Sequence, residues 1–358
     1  MSEPRVDAVV ARLAERELDA LLVTNLVNVR WLTGFTGSSA VVLVGPGTRR
    51  FITDFRYLTQ AAEQVDERWE REIATDLLGR AADGFDGEAP LRLGFEDDDL
   101  SVRLHAKLGD AVPSSVELVA AGGIVESLRA VKDPQEIDKI RAAAQLADAA
   151  LEAVLADGLV GRTEREVALE LEIAIRRRGA EGISFAPIVA AGEHGALPHA
   201  VPRDVQIPAR TLVVIDWGAQ LDGYVSDCTR TIATGELDPR DRAVYDLVLR
   251  AQEEALAAVR PGPTGREVDA VARAIIDDAG HAEHFGHGLG HGVGLEVHEG
   301  PRLSKQGEDV LAAGNIVTVE PGVYVPGAVG VRIEDLVAVT DDGHEVLSGL
   351  SKELRTVE

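Results

Sequence analysis

Three histidines, His287, His291 and His298, fall within the fifteen residues 286-GHGLGHGVGLEVHEG-300, where glycine holds six positions. His287 and His291 are four apart, the spacing that sets two imidazoles on one face of a metal-binding H-E-x-x-H helix. Glycines at 286, 288, 290, 292 and 294 oppose that helix, each costing about 1 kcal/mol relative to alanine. Extended backbone is the expected state, and spacing alone does not say which histidine binds what.

Carboxylates further along the chain supply candidate partners. Asp216 ends the apolar run LVVID, and Asp227 sits in the segment 223-GYVSDCTRTIA-233. A two-residue loop at Asp222-Gly223 places Asp227 opposite Gly218. Asp216 then lies on the same sheet face as Asp227, one diagonal step away. Two carboxylates so close repel, and one must stay protonated unless a cation lies between them. Glu320, at the end of IVTVE, and Glu334, in VRIED, take the matching places about 104 and 107 residues on. Four carboxylates at one seam call for about two divalent cations.

The elements that must bring these groups together form a repeat. The segment 163-TEREV-167 recurs as 264-TGREV-268, each with a threonine and a glutamate three residues later, a capping-box signature. A helix precedes each copy, 136–156 and 241–259. Strands follow each copy, 211–219 and 223–233 in the first half, 315–324 and 330–339 in the second. A duplicated helix-helix-strand-strand unit predicts a pseudo-twofold domain whose site lies where the halves meet. Ahead of it, the amphipathic 5-RVDAVVARLAERE-17, the apolar 20-ALLVT-24, a hairpin around Gly45-Pro46-Gly47 and candidate strands at 91–95 and 116–120 predict a small α/β domain. The expected domains are residues 1–125 and 126–358, and Asp133-Pro134 marks the start of a long helix.

The blocks 216-DWGAQLDGYVSDCTRT-231, 287-HGLGHGVGLEVHEGP-301, 319-VEPGVY-324 and 330-GVRIEDLVAV-339 resemble the pita-bread metallopeptidases, in the branch of Xaa-Pro aminopeptidases and Xaa-Pro dipeptidases. The segments 25-NLVNVRWLTGFTGSSAVVL-43 and 53-TDFRYLTQA-61 are similar to the creatinase/prolidase-type N-terminal domain of that family. The implied fold is an α/β N-terminal domain followed by an α+β pita-bread catalytic domain. The resemblance implies that Asp216, Asp227, His291, Glu320 and Glu334 hold two divalent ions, with Asp227 and Glu334 bridging both. An oxygen-rich set with one imidazole suits manganese or cobalt, and zinc stays open. It also implies that Glu320 shuttles a proton, that His298 faces the substrate carbonyl, that His199 in 197-LPHAVP-202 lines the same cleft from the first half, and that His287 lies on the prolyl side. Arg332 shares a strand face with Glu334 and is expected to reach either that carboxylate or a substrate carboxylate. Tyr224 matches a substrate-side position beside the metal strand.

Composition narrows the alternatives. The formal charge of −25, from 36 basic and 61 acidic residues, opposes nucleic-acid binding. No apolar run approaches the roughly 20 residues that span a bilayer, and the first residues carry no apolar leader pattern, so a cytoplasmic protein is expected. A single cysteine, Cys228, excludes an intrachain disulfide and a cysteine-based zinc site. Creatinase-like and non-catalytic binding forms of the fold lack the full ligand set, and methionine aminopeptidases lack the N-terminal domain. The expected substrates are proline-containing peptides, cleaved as an aminopeptidase from Xaa-Pro-Yaa in preference to the dipeptidase alternative, by a homodimer.

Overall fold

The computed structural model describes residues 2–85 and 90–357. Two compact units divide the chain, the first ending at Arg129 and the second beginning at Ala130. In the first, a six-stranded mixed sheet runs in the spatial order Glu70–Ile73, Thr48–Thr53, Ala40–Gly45, Ala20–Val23, Leu91–Phe95, Val116–Ala120. The expected hairpin closes at Gly45 opposite Thr48. Asp54, Asp76 and Ser101 each cap a helix start with a side-chain oxygen. The helix Leu26–Thr33, which apolar periodicity did not mark, ends at Gly34 with φ of 80°, a left-handed position that glycine takes without strain. The helix Ile124–Arg129 packs on the helices Ser2–Glu15 and Leu26–Thr33, which is why the first unit extends to Arg129.

The second unit shows the duplication. Its first helix pair is Pro134–Ala156 and Glu164–Arg177, its second Pro239–Ala258 and Gly265–Asp278. Thr163 and Thr264 both form complete capping boxes with Glu166 and Glu267, and Asp133 forms one with Glu136. Each pair covers its own core. Leu171, Ile175, Val213 and Trp217 are among the residues packed in the first, and Tyr245, Val248, Ile276 and Val317 in the second. Fully burying such a side chain contributes about 1.5–3 kcal/mol.

The central strand of each half is flanked in the same way. Leu212–Trp217 lies between Cys228–Ala233 and Ile188–Ala191, and Ile316–Val319 lies between Asp335–Val339 and Gly290–Gly292. The register of the first hairpin is as expected: Asp216 opposes Thr229, Trp217 opposes Cys228 and Gln220 opposes Val225. The long strands expected from the apolar runs are each broken in two. The breaks fall at Gly218, at Ser226-Asp227, at Glu320-Pro321 and at Ile333-Glu334. Three of the breaks fall at a carboxylate, one of them followed by a proline that withholds its donor, and at Gly218 a Cβ would lie 1.9 Å from Ser226 O. Among the described residues no helix is long and apolar enough to cross a membrane.

Candidate metal and peptide site

Asp216, Asp227 and Glu334 each place a carboxylate oxygen within 4.8 Å of the others, among buried or half-buried residues. Two of the four positions are held by backbone that leaves its own ladder: the Glu334 N–H donates to Thr229 O, and the Glu320 N–H to Leu289 O. His291 enters from the short strand Gly290–Gly292. A side chain at 290 would bring its Cβ within 2.0 Å of Thr318 O, so glycine lets the histidine strand press against the strand leading to Glu320. His291 Nδ1 donates to Gly292 O at 3.0 Å, which aims Nε2 at Glu320 Oε1, 3.3 Å away, and at Asp227 Oδ2, 3.6 Å away. A ring fixed through Nδ1 to a carbonyl, with Nε2 facing carboxylates, is the arrangement of a histidine ligand.

The electrostatics of this cluster call for a cation. Burial, then repulsion from Glu334 and Asp216, pushes Asp227 well above the usual carboxylate range. Burial and then Glu320 and Asp216 do the same to Glu334. Burial also raises Asp216, against the pull of Arg332. For Glu320, burial is outweighed by the hydrogen bond and charge of His291, which hold it down at about 2. The same contact raises His291 against the burial that would lower it. Two buried oxygens, Asp216 Oδ1 and Glu334 Oε1, have no hydrogen-bond partner. Orphaned buried carboxylate oxygens on residues of one cluster are the groups that divalent cations satisfy, and the donor set of carboxylates and one imidazole fits them.

These groups line a cleft of about 620 Å³, within the range of small-ligand sites. His199, His287, His298 and Arg332 line it as well, together with an apolar wall that includes Phe185, Ile188, Pro198 and Val201. His298 is exposed and packs its ring against His291, centroids 4.2 Å apart. Burial, then the charge of His291, lowers its pKa; burial lowers that of His287 too.

Two expectations need correction. Arg332 does not pair with Glu334: its guanidinium donates to Asp216 Oδ2 at 2.6 Å, Thr229 Oγ1 at 2.9 Å, Tyr324 Oη at 2.9 Å and Pro198 O at 3.1 Å. The strand break at Ile333-Glu334 removes the shared face on which the Glu334 pairing rested. Tyr224 is buried and donates its hydroxyl to Glu136 Oε1 at 2.7 Å, and the cleft lining does not include it. Its two-residue strand, Tyr224–Val225, ends before the break that turns Asp227 toward the site.

A residue passed over by sequence reasoning is Tyr324. Its hydroxyl accepts from Arg332 and lies 3.0 Å from His287 Nε2, joining Asp216, Arg332, Tyr324 and His287 in one chain of hydrogen bonds. The tyrosine closing the motif 319-VEPGVY-324 was the available signal.

Comparison with known proteins agrees with this layout. Residues 138–341 match the profile of Metallopeptidase family M24, and residues 5–131 that of the Creatinase/Prolidase N-terminal domain. An uncharacterized peptidase, YqhT of Bacillus subtilis, is 41% identical over 94% of this chain and 95% of its own length. A solved structure described as an Xaa-Pro dipeptidase from Bacillus anthracis is 40% identical, covers both chains fully and superposes with a TM-score of 0.95. One described as an X-Pro aminopeptidase from Thermotoga maritima is 35% identical over 96% of this chain and 99% of that one, with a TM-score of 0.88.

Proposed function

Since the chain belongs to metallopeptidase family M24 and carries a creatinase/prolidase N-terminal domain, we propose that it hydrolyses the peptide bond preceding proline, releasing the N-terminal residue of Xaa-Pro-Yaa peptides. The observation that carries the class is the buried carboxylate cluster with two orphaned oxygens beside His291. In this reading Asp216, Asp227, His291, Glu320 and Glu334 hold two divalent ions, manganese being the expected pair. Bound there, the ions would supply Lewis-acid polarisation of the scissile carbonyl and acidify water.

The chain's own residues account for the rest. Glu320 is the carboxylate of the set held ionised at neutral pH, the state required to accept a proton from the attacking water and pass it to the leaving nitrogen. That nitrogen is the prolyl imide, which bears no hydrogen, so recognition cannot rely on an N–H donor and must come from shape. The wall of Phe185, Ile188, Pro198 and Val201 offers an apolar surface for the ring. His298 lines the cleft with its ring against His291, where it can hydrogen-bond the carbonyl oxygen as it gains charge. His199 and His287 bracket the same cleft from the two halves.

The aminopeptidase reading draws support from Arg332. Among the described cleft-lining residues it is the one lysine or arginine, and its donors are given to Asp216, Thr229, Tyr324 and Pro198. A free prolyl carboxylate, which a dipeptidase must recognise, would meet imidazoles and a guanidinium with four of its five N–H groups already engaged. The dipeptidase reading draws on the description of the Bacillus anthracis structure. Comparing kcat/KM for one Xaa-Pro dipeptide and its Xaa-Pro-Yaa extension with manganese present decides between them. Strict preference for the dipeptide reverses the assignment, and unchanged hydrolysis after thorough chelation removes the metallopeptidase reading.

A further inference from the structure

The two copies of the repeated motif differ at their second position, Glu164 in 163-TEREV-167 and Gly265 in 264-TGREV-268. Otherwise their surroundings match. Thr163 bridges to Gln206 and Thr264 to Val310. The N–H groups of Glu164 and Arg165 donate to Val205 O and Arg203 O, and those of Gly265 and Arg266 to Asp309 O and Gly307 O. At 265 a Cβ would lie 2.0 Å from Arg302 O, so the second half has no room for a side chain there. The first half has room and fills it with a carboxylate that is only 1% exposed.

Every polar contact of that carboxylate goes to one segment. Oε1 accepts from the Ala191 N–H at 3.0 Å, and Oε2 from the Arg203 N–H at 2.9 Å. The Arg203 guanidinium adds contacts at 3.2 and 3.1 Å, and buried His194 sets Nδ1 2.9 Å from Oε2. Ala191 and Arg203 are the two ends of the excursion that carries Pro198, His199 and Val201 to the cleft. Both ends of a loop are therefore fastened to one buried anion that is itself fixed at a helix start.

We propose that Glu164 is a positioning residue for peptide hydrolysis: it clamps the ends of the 191–203 segment and so sets His199 and the apolar wall against the substrate. The inference rests on the peptidase reading for its kinetic consequence, but the clamp is a statement about this loop alone. The second half achieves the same end differently. Glu299 accepts from the Leu295 and Glu296 N–H groups at 2.9 and 3.1 Å and pairs with buried Lys132 at 2.9 Å, tying down the turn that bears His298. Asymmetry between the halves thus falls on how each wall of the cleft is held.

The test uses the full-length, manganese-loaded protein with Glu164→Gln, which keeps the shape and removes the charge. Amide hydrogen exchange is expected to speed up within residues 192–202 with the rest of the second unit unchanged and bound manganese undiminished. On an Xaa-Pro-Yaa peptide kcat/KM should fall on the order of 10- to 100-fold. In a double-mutant cycle the loss should largely vanish in a His199→Ala background, because the clamp acts through the segment carrying that histidine. Full additivity with His199→Ala, or exchange spread evenly over the unit, overturns the proposal. Should Glu164→Gln fail to fold, Arg203→Ala, which removes a half-exposed partner from the same carboxylate, must reproduce the local exchange and the coupling or the proposal falls. A wild-type protein without peptidase activity would refute the function while leaving the exchange result to judge the clamp.

Discussion

Replacing Asp227 by asparagine should stabilise the metal-free protein and destabilise the metal-loaded one. At an effective dielectric near 20, two unit charges 4.8 Å apart repel by about 3.5 kcal/mol. Asp227 has two neighbours within that distance, Asp216 and Glu334, a cost of about 7 kcal/mol or more were all three ionised. Its attraction to His291 at 3.6 Å returns about 4.6 kcal/mol at the same dielectric. Burial, the largest cause of the upward displacement of its pKa, acts in the same direction as this repulsion, which exceeds the attraction by about 2 kcal/mol, and Glu320 adds to the repulsion. With its pKa raised, Asp227 takes up a proton on folding instead of bearing the full charge, and the amide removes that cost, which should raise the melting temperature of the second unit by about 4–8 °C in chelator. With manganese at about a hundred times its Kd, the wild type gains about 2.7 kcal/mol by mass action. Having lost a proposed bridging ligand, Asp227→Asn should gain far less. The assay is thermal unfolding of both proteins with and without metal, and the expected signature is a crossing of their order. If Asp227→Asn melts below the wild type in chelator, or both rise equally with manganese, the reasoning is refuted.

The histidines should separate by role: His291→Ala is expected to lose bound metal by elemental analysis, whereas His298→Ala should keep its metal and lose turnover. Tyr224→Phe removes a buried hydroxyl donated to Glu136 and should cost about 1–2 kcal/mol in denaturant unfolding, with kcat/KM unchanged. In the first unit, burial lifts Glu96 to about 7 although Thr24 and Asn25 N–H groups and Asn28 donate to it. Because its folded pKa lies above the ordinary value, its favourable contribution is complete below about pH 4.3 and is lost as pH rises through 7, about 3–4 kcal/mol in all. The unfolding midpoint of Glu96→Gln should therefore gain on the wild type between pH 4.5 and about 7.5, and a constant gap would argue against the shift.

Local rules carried much of the fold because the residues concerned act on near neighbours. The capping boxes at Thr163 and Thr264, the Asp133-Pro134 helix start and the turn at Asp222-Gly223 each depend on residues within a few positions, and the turn alone set the register that opposes Asp216 to Thr229. The carboxylate pairing followed from that register and from the repeat. What escaped was decided by partners far apart in the chain. Arg332 chose Asp216, 116 residues away, over its neighbour Glu334, and Tyr224 chose Glu136, 88 residues away. Apolar runs predicted continuous strands because hydrophobicity does not mark the point where a buried carboxylate must turn aside. Glu164 was visible only as the residue beside a helix cap formed by Thr163 and Glu166, whereas its hold on the 191–203 segment requires the packed half.

The broken strands have a consequence for how the site's carboxylates are held. Asp227, Glu320 and Glu334 each sit in a gap between two ladder segments, where Glu320 and Glu334 keep a single backbone N–H bond each, to Leu289 O and Thr229 O. Asp216, by contrast, is anchored in an unbroken ladder between Thr229 and Ile188. In the proposed dinuclear reading, an oxygen-rich set with one imidazole accepts manganese, cobalt or zinc, and elemental analysis of the protein purified from its own cells decides among them.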